Sequence, residues 1–382
     1  MPAARMENIG FSGIREIFEE CSALERAGED VIHLEIGRPD FDTPERIKAA
    51  GIDAIERGDV HYTSNYGILE LREAIAKKLE AENGLVYLPE DELVVTTGAV
   101  EGVLITVLAC VDPGEEVLVP DPSWSYEPSI HMAGARPVPY PLDPASGFQP
   151  DVDELEAAAS EDTALLIVNS PNNPTGGVID SDRARAIADI AETYDITLLS
   201  DEIYETLQYD GDHQSLAAVE GLFDRTVTVN GFSKAYAMTG WRIGYLAAPA
   251  ELFDPIIRVR QYTTTCAPSI AQHAAVAAFE SDAPRRMRET FKERRAAVCD
   301  RIAEIQGMEL PEAPAGAMYA LPTIPKGADD DLTFARSLLR EQGVAVVPGR
   351  TFGAVGGGRV RIAYGQPQAR LHEAFDRIER WQ

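Results

Sequence analysis

Thr226-Val227-Thr228-Val229-Asn230-Gly231-Phe232-Ser233-Lys234-Ala235 is followed closely by Thr239-Gly240-Trp241-Arg242-Ile243-Gly244. The run Thr226–Asn230 is β-branched and reads as a strand, Gly231 breaks it, and Ile243–Ala247 reads as another. Between the two sit polar and aromatic residues around one lysine. Working outward, short apolar runs recur at Glu92–Thr97, Val117–Pro120, Leu165–Asn169 and Thr197–Ser200, separated by helical patterns. Several are apolar on both faces, as strands covered by helices on both sides are. Such alternation predicts an α/β fold with a mainly parallel sheet and right-handed crossovers.

Beyond Pro249, helical patterns run to about Ile305. The tail is mixed: strands at Ala317–Leu321, Val344–Val347 and Val360–Tyr364, helices at Leu332–Glu341 and Gln368–Trp381. Near the start, Ile14, Ile17, Phe18, Cys21 and Leu24 recur at helical spacing, so Ser12–Ala27 reads as an amphipathic helix stopped by Gly28. The simplest partition is a large domain, residues 46–284, and a smaller α+β domain. The smaller one takes the N-terminal segment 1–45 and residues 285–382.

The 382 residues carry 34 basic against 63 acidic side chains, a net charge of −29, and are 45% hydrophobic. That apolar content supports a core and excludes disorder. The charge excludes a nucleic-acid or anionic-membrane binder, because phosphate contacts need a basic face. The longest apolar stretch, Val103 to Val111, falls short of the roughly 20 residues of a membrane helix. Met1-Pro2-Ala3-Ala4-Arg5 has no apolar segment behind it, so no signal peptide is expected. Cys21, Cys110, Cys266 and Cys299 are far apart with no metal-type spacing, which suits a reducing cytoplasm. The acidic excess fits either a basic partner or a solvated surface suited to high salt. The acids are spread along the whole chain, which favours the second.

Ligands of open α/β sheets bind beyond the carboxyl ends of the strands. Four strand ends carry polar or turn residues: Gly98-Ala99-Val100-Glu101-Gly102, Ser170-Pro171-Asn172-Asn173-Pro174-Thr175-Gly176, Asp201-Glu202-Ile203-Tyr204, and Gly231 to Lys234. Only six of the basic residues are lysines, and Lys234 alone sits at a strand end among Ser, Gly and aromatic residues. It is either an exposed loop lysine or an amine desolvated enough to attack a carbonyl. Asp201 is either a helix N-cap or the partner of a cationic ring nitrogen. Gly98, Ala99 and Val100 open a helix and are either plain packing or a phosphate site. Arg242 is either a surface ion pair or a bidentate phosphate ligand.

The ordered set resembles the class I/II, fold-type I aminotransferases that use pyridoxal 5'-phosphate (PLP). It comprises Gly37-Arg38-Pro39-Asp40-Phe41, Tyr62-Thr63…Gly67…Leu71-Arg72, Asn173-Pro174-Thr175-Gly176, Asp201-Glu202-Ile203-Tyr204, Ser233-Lys234-Ala235…Met238-Thr239-Gly240-Trp241-Arg242-Ile243-Gly244 and Arg361-Ile362-Ala363-Tyr364. The match runs from about Ile14 to the C-terminus, and the sequence is similar to archaeal aspartate and aromatic enzymes of the family. The resemblance implies that Lys234 forms the Schiff base with PLP and that Asp201 pairs with the pyridinium nitrogen. It makes Asn173 and Tyr204 donors to the phenolic oxygen and places Trp124 on the ring, its alternative being an ordinary core tryptophan. Gly98, Ala99, Val100, Ser233 and Arg242 would hold the phosphate. Tyr62 would reach the phosphate of a neighbouring subunit in an obligate homodimer. Arg361, with Gly37, Trp124 and Asn173, would bind the substrate, Arg361 gripping its α-carboxylate. The implied reaction moves an amino group between an L-amino acid (aromatic, aspartate or broad) and a 2-keto acid such as 2-oxoglutarate.

Three positions depart from the pattern. Arg38 stands where many relatives have Glu or Gln, with no role evident from sequence. Gly231 stands where many have a phosphate-binding Ser, so that contact is absent or moved to Ser233. Val100 stands where a dicarboxylate-specific branch has Lys, which removes an obvious partner for a second carboxylate. The same fold hosts PLP lyases and decarboxylases, the alternative reading. A PLP-binding regulator needs a further DNA-binding domain. A nicotinamide dehydrogenase needs a Gly-x-Gly-x-x-Gly after a strand, and Gly356-Gly357-Gly358 precedes a strand instead.

Overall fold

The computed structural model describes residues 2–381. Its centre is an eight-stranded sheet in the order Leu93–Thr96, Gly244–Ala247, Thr226–Gly231, Thr197–Asp201, Thr163–Asn169, Glu116–Asp121, Arg136–Asp143, Gln149–Pro150. Neighbours from Thr226–Gly231 through Arg136–Asp143 pair parallel. Gly244–Ala247 runs antiparallel to both of its neighbours. The central strands are buried along their length, because helices cover both faces.

The strand Arg136–Asp143 has no counterpart in the sequence reading. Pro137, Pro139 and Pro141 argue against a strand, since proline cannot donate to a ladder. Here they cost little: one side pairs with Glu116–Asp121, and the other meets only the two-residue strand Gln149–Pro150. The run expected at Val344–Val347 is two strands. Val344–Ala345 pairs parallel with Ile32–His33, and Val347–Pro348 pairs antiparallel with Val360–Arg361. Tyr319–Ala320 completes that three-stranded sheet on the other side. The chain therefore brings its N-terminal segment against its C-terminal third.

The N-terminal helix spans Gly13–Arg26, buries Ile17 and Cys21, and unwinds at Gly28 in left-handed conformation. The helix Ala99–Cys110 starts at Gly98, whose φ of +76° disfavours any other residue. Register sets the site: Asn169 lies beside Asp201, and Asp201 beside Val229, two residues short of the strand's end at Gly231. Three carboxyl-terminal strand ends thus open on one side of the sheet, where the Ile32–Gly37 segment and the three-stranded sheet close over them.

Candidate active site

Lys234 lies in the single helical turn Phe232–Ala235 that follows the strand Thr226–Gly231. Its Nζ donates to the Gly37 carbonyl and sits 5.7 Å from the centroid of the Tyr204 ring. Gly231 is crowded. A Cβ there would lie 3.1–3.2 Å from Gly244 Cα, Ile203 Cδ1 and the Ile243 carbonyl, so a serine would need its neighbours to give by a few tenths of an ångström. The hydroxyl nearest to Lys234 in the chain is that of Ser233.

Asp201 ends its strand and is only 6% exposed. No helix begins there, so it is not a helix N-cap. Its Oδ1 accepts the Ile203 N–H at 3.3 Å and its Oδ2 accepts the Tyr126 hydroxyl at 2.7 Å. Burial pushes its pKa up to about 6, against the Tyr126 hydrogen bond, which pulls it down. A buried carboxylate aimed into a cavity is stabilised by a cation brought beside it.

The loop after Asn169 holds itself together. Asn169 Oδ1 accepts the Asn173 N–H at 2.8 Å, and Asn172 Oδ1 accepts from Thr175 N–H and Oγ1 at 3.2 and 2.8 Å. The Trp124 N–H donates to the Asn173 carbonyl at 2.9 Å, which ties the tryptophan to the same loop. Asn173 Oδ1 accepts from Arg361 Nη1 at 3.0 Å, so its amide NH2 remains free to donate elsewhere.

Arg361 is 1% exposed on the strand Val360–Ala363, with its guanidinium between the Tyr319 and Phe352 rings, 4.7 and 4.8 Å from their centroids. Its Nη2 donates to the Glu35 carbonyl, its Nε finds no partner, and it forms no ion pair among the described residues. Burial works against its charge. A cation this deep without a carboxylate is poised for an anionic ligand. Tyr204 and Tyr319 share a hydrogen bond of 2.7 Å between hydroxyls, and burial raises the Tyr204 pKa well above its ordinary value. A Cβ at Gly37 would collide with the Tyr319 hydroxyl, so glycine there lets the backbone approach.

Gly37, Ala99, Val100, Trp124, Asn173, Asp201, Tyr204, Ser233, Lys234, Arg242 and Arg361 line one cavity of about 610 Å³. Gly98 stands just behind its wall: a Cβ there would strike the Arg242 guanidinium, which packs against the start of the helix Ala99–Cys110. Among the described residues Arg242 makes no ion pair, and it donates to the Thr239 carbonyl at 3.2 Å. Tyr62 is elsewhere, 90% exposed. Its loop is pinned from behind by fully buried Arg260, which donates to the Asn65, Thr265 and Val95 carbonyls, and by Gln272, which bonds Thr63 and Ile68.

Sequence reasoning passed over Asn169, Tyr126 and Tyr319, and it gave Arg15 and Arg38 no place in the cavity wall. Asn169 had a usable signal, as the polar residue ending an apolar strand. Tyr126 and Tyr319 had none, because their placement depends on packing between distant segments.

The donor set suits PLP. Arg242, the Ser233 hydroxyl and the helix amides suit a phosphate. Asp201 suits a cationic ring nitrogen, Tyr204 and the Asn173 amide suit a phenolate oxygen, and the Lys234 amine suits a carbonyl. Replacing Gly98 by Ala should test the phosphate end. Strain at φ +76° and the clash with Arg242 are expected to weaken PLP rebinding to stripped protein by about 10- to 100-fold. Unchanged rebinding would remove Gly98 and Arg242 from that cradle.

A lysine, a buried carboxylate and an unpaired arginine around one cavity at the strand ends define a PLP enzyme acting on amino acids. Residues 29–378 match the family described as aminotransferase class I and II. The chain is 41% identical to aromatic-amino-acid aminotransferase 2 of Thermococcus litoralis, over 98% of this chain and 97% of that protein. It is 41% identical to an aspartate aminotransferase of Pyrococcus abyssi with the same coverage. The structure of the Thermus thermophilus aspartate aminotransferase with maleate superposes with a TM-score of 0.94 at 38% identity, over 100% of both chains. The chain belongs to the class I and II aminotransferases, PLP-dependent transaminases of fold type I.

Proposed function

We propose that Arg361 binds the α-carboxylate of the amino acid and keto acid, and that Lys234 carries the proton chemistry at Cα. The observation behind this is the buried Arg361 guanidinium, without an ion pair and with a free Nε among the described residues, in the cavity that also holds Lys234. When bound, PLP supplies a carbonyl for the amine and a ring that accepts electrons. Asp201 would keep the ring nitrogen protonated, Tyr204 and Asn173 would donate to the phenolic oxygen, and Trp124 would cover the ring. Lys234 would take the proton from the substrate Cα and later give it up, as base and then acid.

We infer a homodimer in which Tyr62 completes the partner's site. Phe11, Tyr62 and Tyr262 are 96, 90 and 86% exposed, and a pinned loop carries Tyr62. Aromatic side chains are enriched at protein interfaces, which supports this reading. The four unpaired thiols support a cytoplasmic location, and the acidic surface supports a halophilic setting. Residues 46–284 as the cofactor domain and 285–382 with 1–45 as the small domain remain our proposed division.

Arg361→Lys tests the site. Lysine keeps the charge but loses the planar fork, so kcat/KM for any amino acid should fall by about 10- to 100-fold while PLP stays bound. Wild-type turnover in that variant would remove Arg361 from substrate binding.

A further inference from the structure

Five basic side chains line the cavity: Arg15, Arg38, Lys234, Arg242 and Arg361. Asp201 is its one acidic lining residue. This contrasts with the rest of a chain of net charge −29, where most basic side chains pair with carboxylates, as Arg294 does with Asp40 and Arg350 with Asp331. None of the five forms an ion pair among the described residues, although 63 acids were available to supply one. Leaving cations unpaired together, in a protein with so many acids, is an arrangement for anionic ligands.

The demands can be matched in turn. Arg242 faces the phosphate end, Arg361 the α-carboxylate, and Lys234 the carbonyl. That leaves Arg15 and Arg38. Arg38 follows Gly37, whose carbonyl holds Lys234 Nζ, so it flanks the reacting end. Arg15 lies in the first turn of the helix Gly13–Arg26, with its guanidinium 5.8 Å from the Phe18 ring centroid and no hydrogen bond to the chain. Both are exposed at the cavity's mouth. Val100, the apolar residue where a lysine would have served, is on the same wall.

We propose that Arg15 and Arg38 bind the second carboxylate of a dicarboxylic substrate: an acidic amino acid as donor and a dicarboxylic 2-keto acid as acceptor. This rests on the assignment of Arg361 to the α-carboxylate. It moves the recognition of the distal acid away from position 100, so the missing lysine there no longer argues for an aromatic substrate.

The test is equilibrium binding of two unreactive probes, succinate and butyrate, to the holoenzyme by calorimetry in 1 M KCl. At that salt, attraction beyond about 3 Å is screened, so a preference for the dicarboxylate reports direct contact. Wild type is expected to prefer succinate by at least about tenfold, and Arg15→Gln and Arg38→Gln each to lower that ratio by about tenfold. An unchanged ratio in both variants overturns the proposal. Aspartate and phenylalanine turnover with 2-oxoglutarate separates the two levels of inference. Transfer from phenylalanine but not aspartate sinks the dicarboxylate assignment alone, and unchanged binding of both butyrate and succinate in Arg361→Lys would sink the α-carboxylate assignment.

Discussion

Lys234→Ala is expected to lose at least about 10²- to 10⁴-fold in transamination, the range carried by a positioned acid–base group. The chain offers no substitute within reach. Arg242 and Arg361 line the same cavity, but a guanidinium cation has no lone pair with which to take a proton, and burial makes the hydroxyls of Tyr126 and Tyr204 poorer acids. The variant should fold normally, since the one polar contact Lys234 makes is with the Gly37 carbonyl. Turnover is measured with aspartate or phenylalanine and 2-oxoglutarate, and thermal melting checks the fold. Wild-type rates in a well-folded Lys234→Ala protein would refute its role.

Asp201→Asn should separate stability from activity. In protein stripped of PLP, burial lifts the Asp201 pKa from 3.8 to about 6. An acid whose folded pKa is raised contributes stability at low pH that is lost as pH rises through the folded value. The rise corresponds to roughly 3 kcal/mol withheld above pH 6. Asparagine is uncharged but can accept only one of the two hydrogen bonds from Tyr126 and Ile203, which offsets about 1 kcal/mol of the gain. Stripped Asp201→Asn should therefore melt a few degrees above stripped wild type at pH 7.5, and the gap should close near pH 4. Loaded with PLP, it should lose about 10²- to 10⁴-fold in turnover, because the ring nitrogen loses its ionic partner. A lower melting temperature at pH 7.5 would show that the carboxylate is accommodated without cost.

Much of the central sheet was legible because its strands are continuous apolar runs ended by polar or glycine residues, as at Thr197–Asp201 and Thr226–Gly231. Arg136–Asp143 was not, because its prolines are tolerable only with most of one side unpaired, which is a fact of topology. The break at Val346 was hidden for a related reason: the run is uniformly apolar, and only its partners show that it changes sheets. At the cavity, Lys234 and Asp201 announced themselves by position at strand ends. Arg361 was legible only through family resemblance, since a buried arginine on a short strand looks like any other until its lack of a carboxylate is seen. Tyr319 meets Tyr204 across 115 residues of sequence, a distance no local pattern spans.

The cation-lined cavity sits inside an acid-rich shell, and the two would act on an anionic substrate at different ranges. The shell repels it from afar, whereas the arginines grip it within hydrogen-bonding distance. Salt divides these effects: the screening length shrinks from about 8 Å at 0.15 M to about 3 Å at 1 M. Concentrated brine therefore removes the outer barrier and leaves the inner grip largely in place. The rate of encounter should therefore climb with ionic strength while the residence time holds.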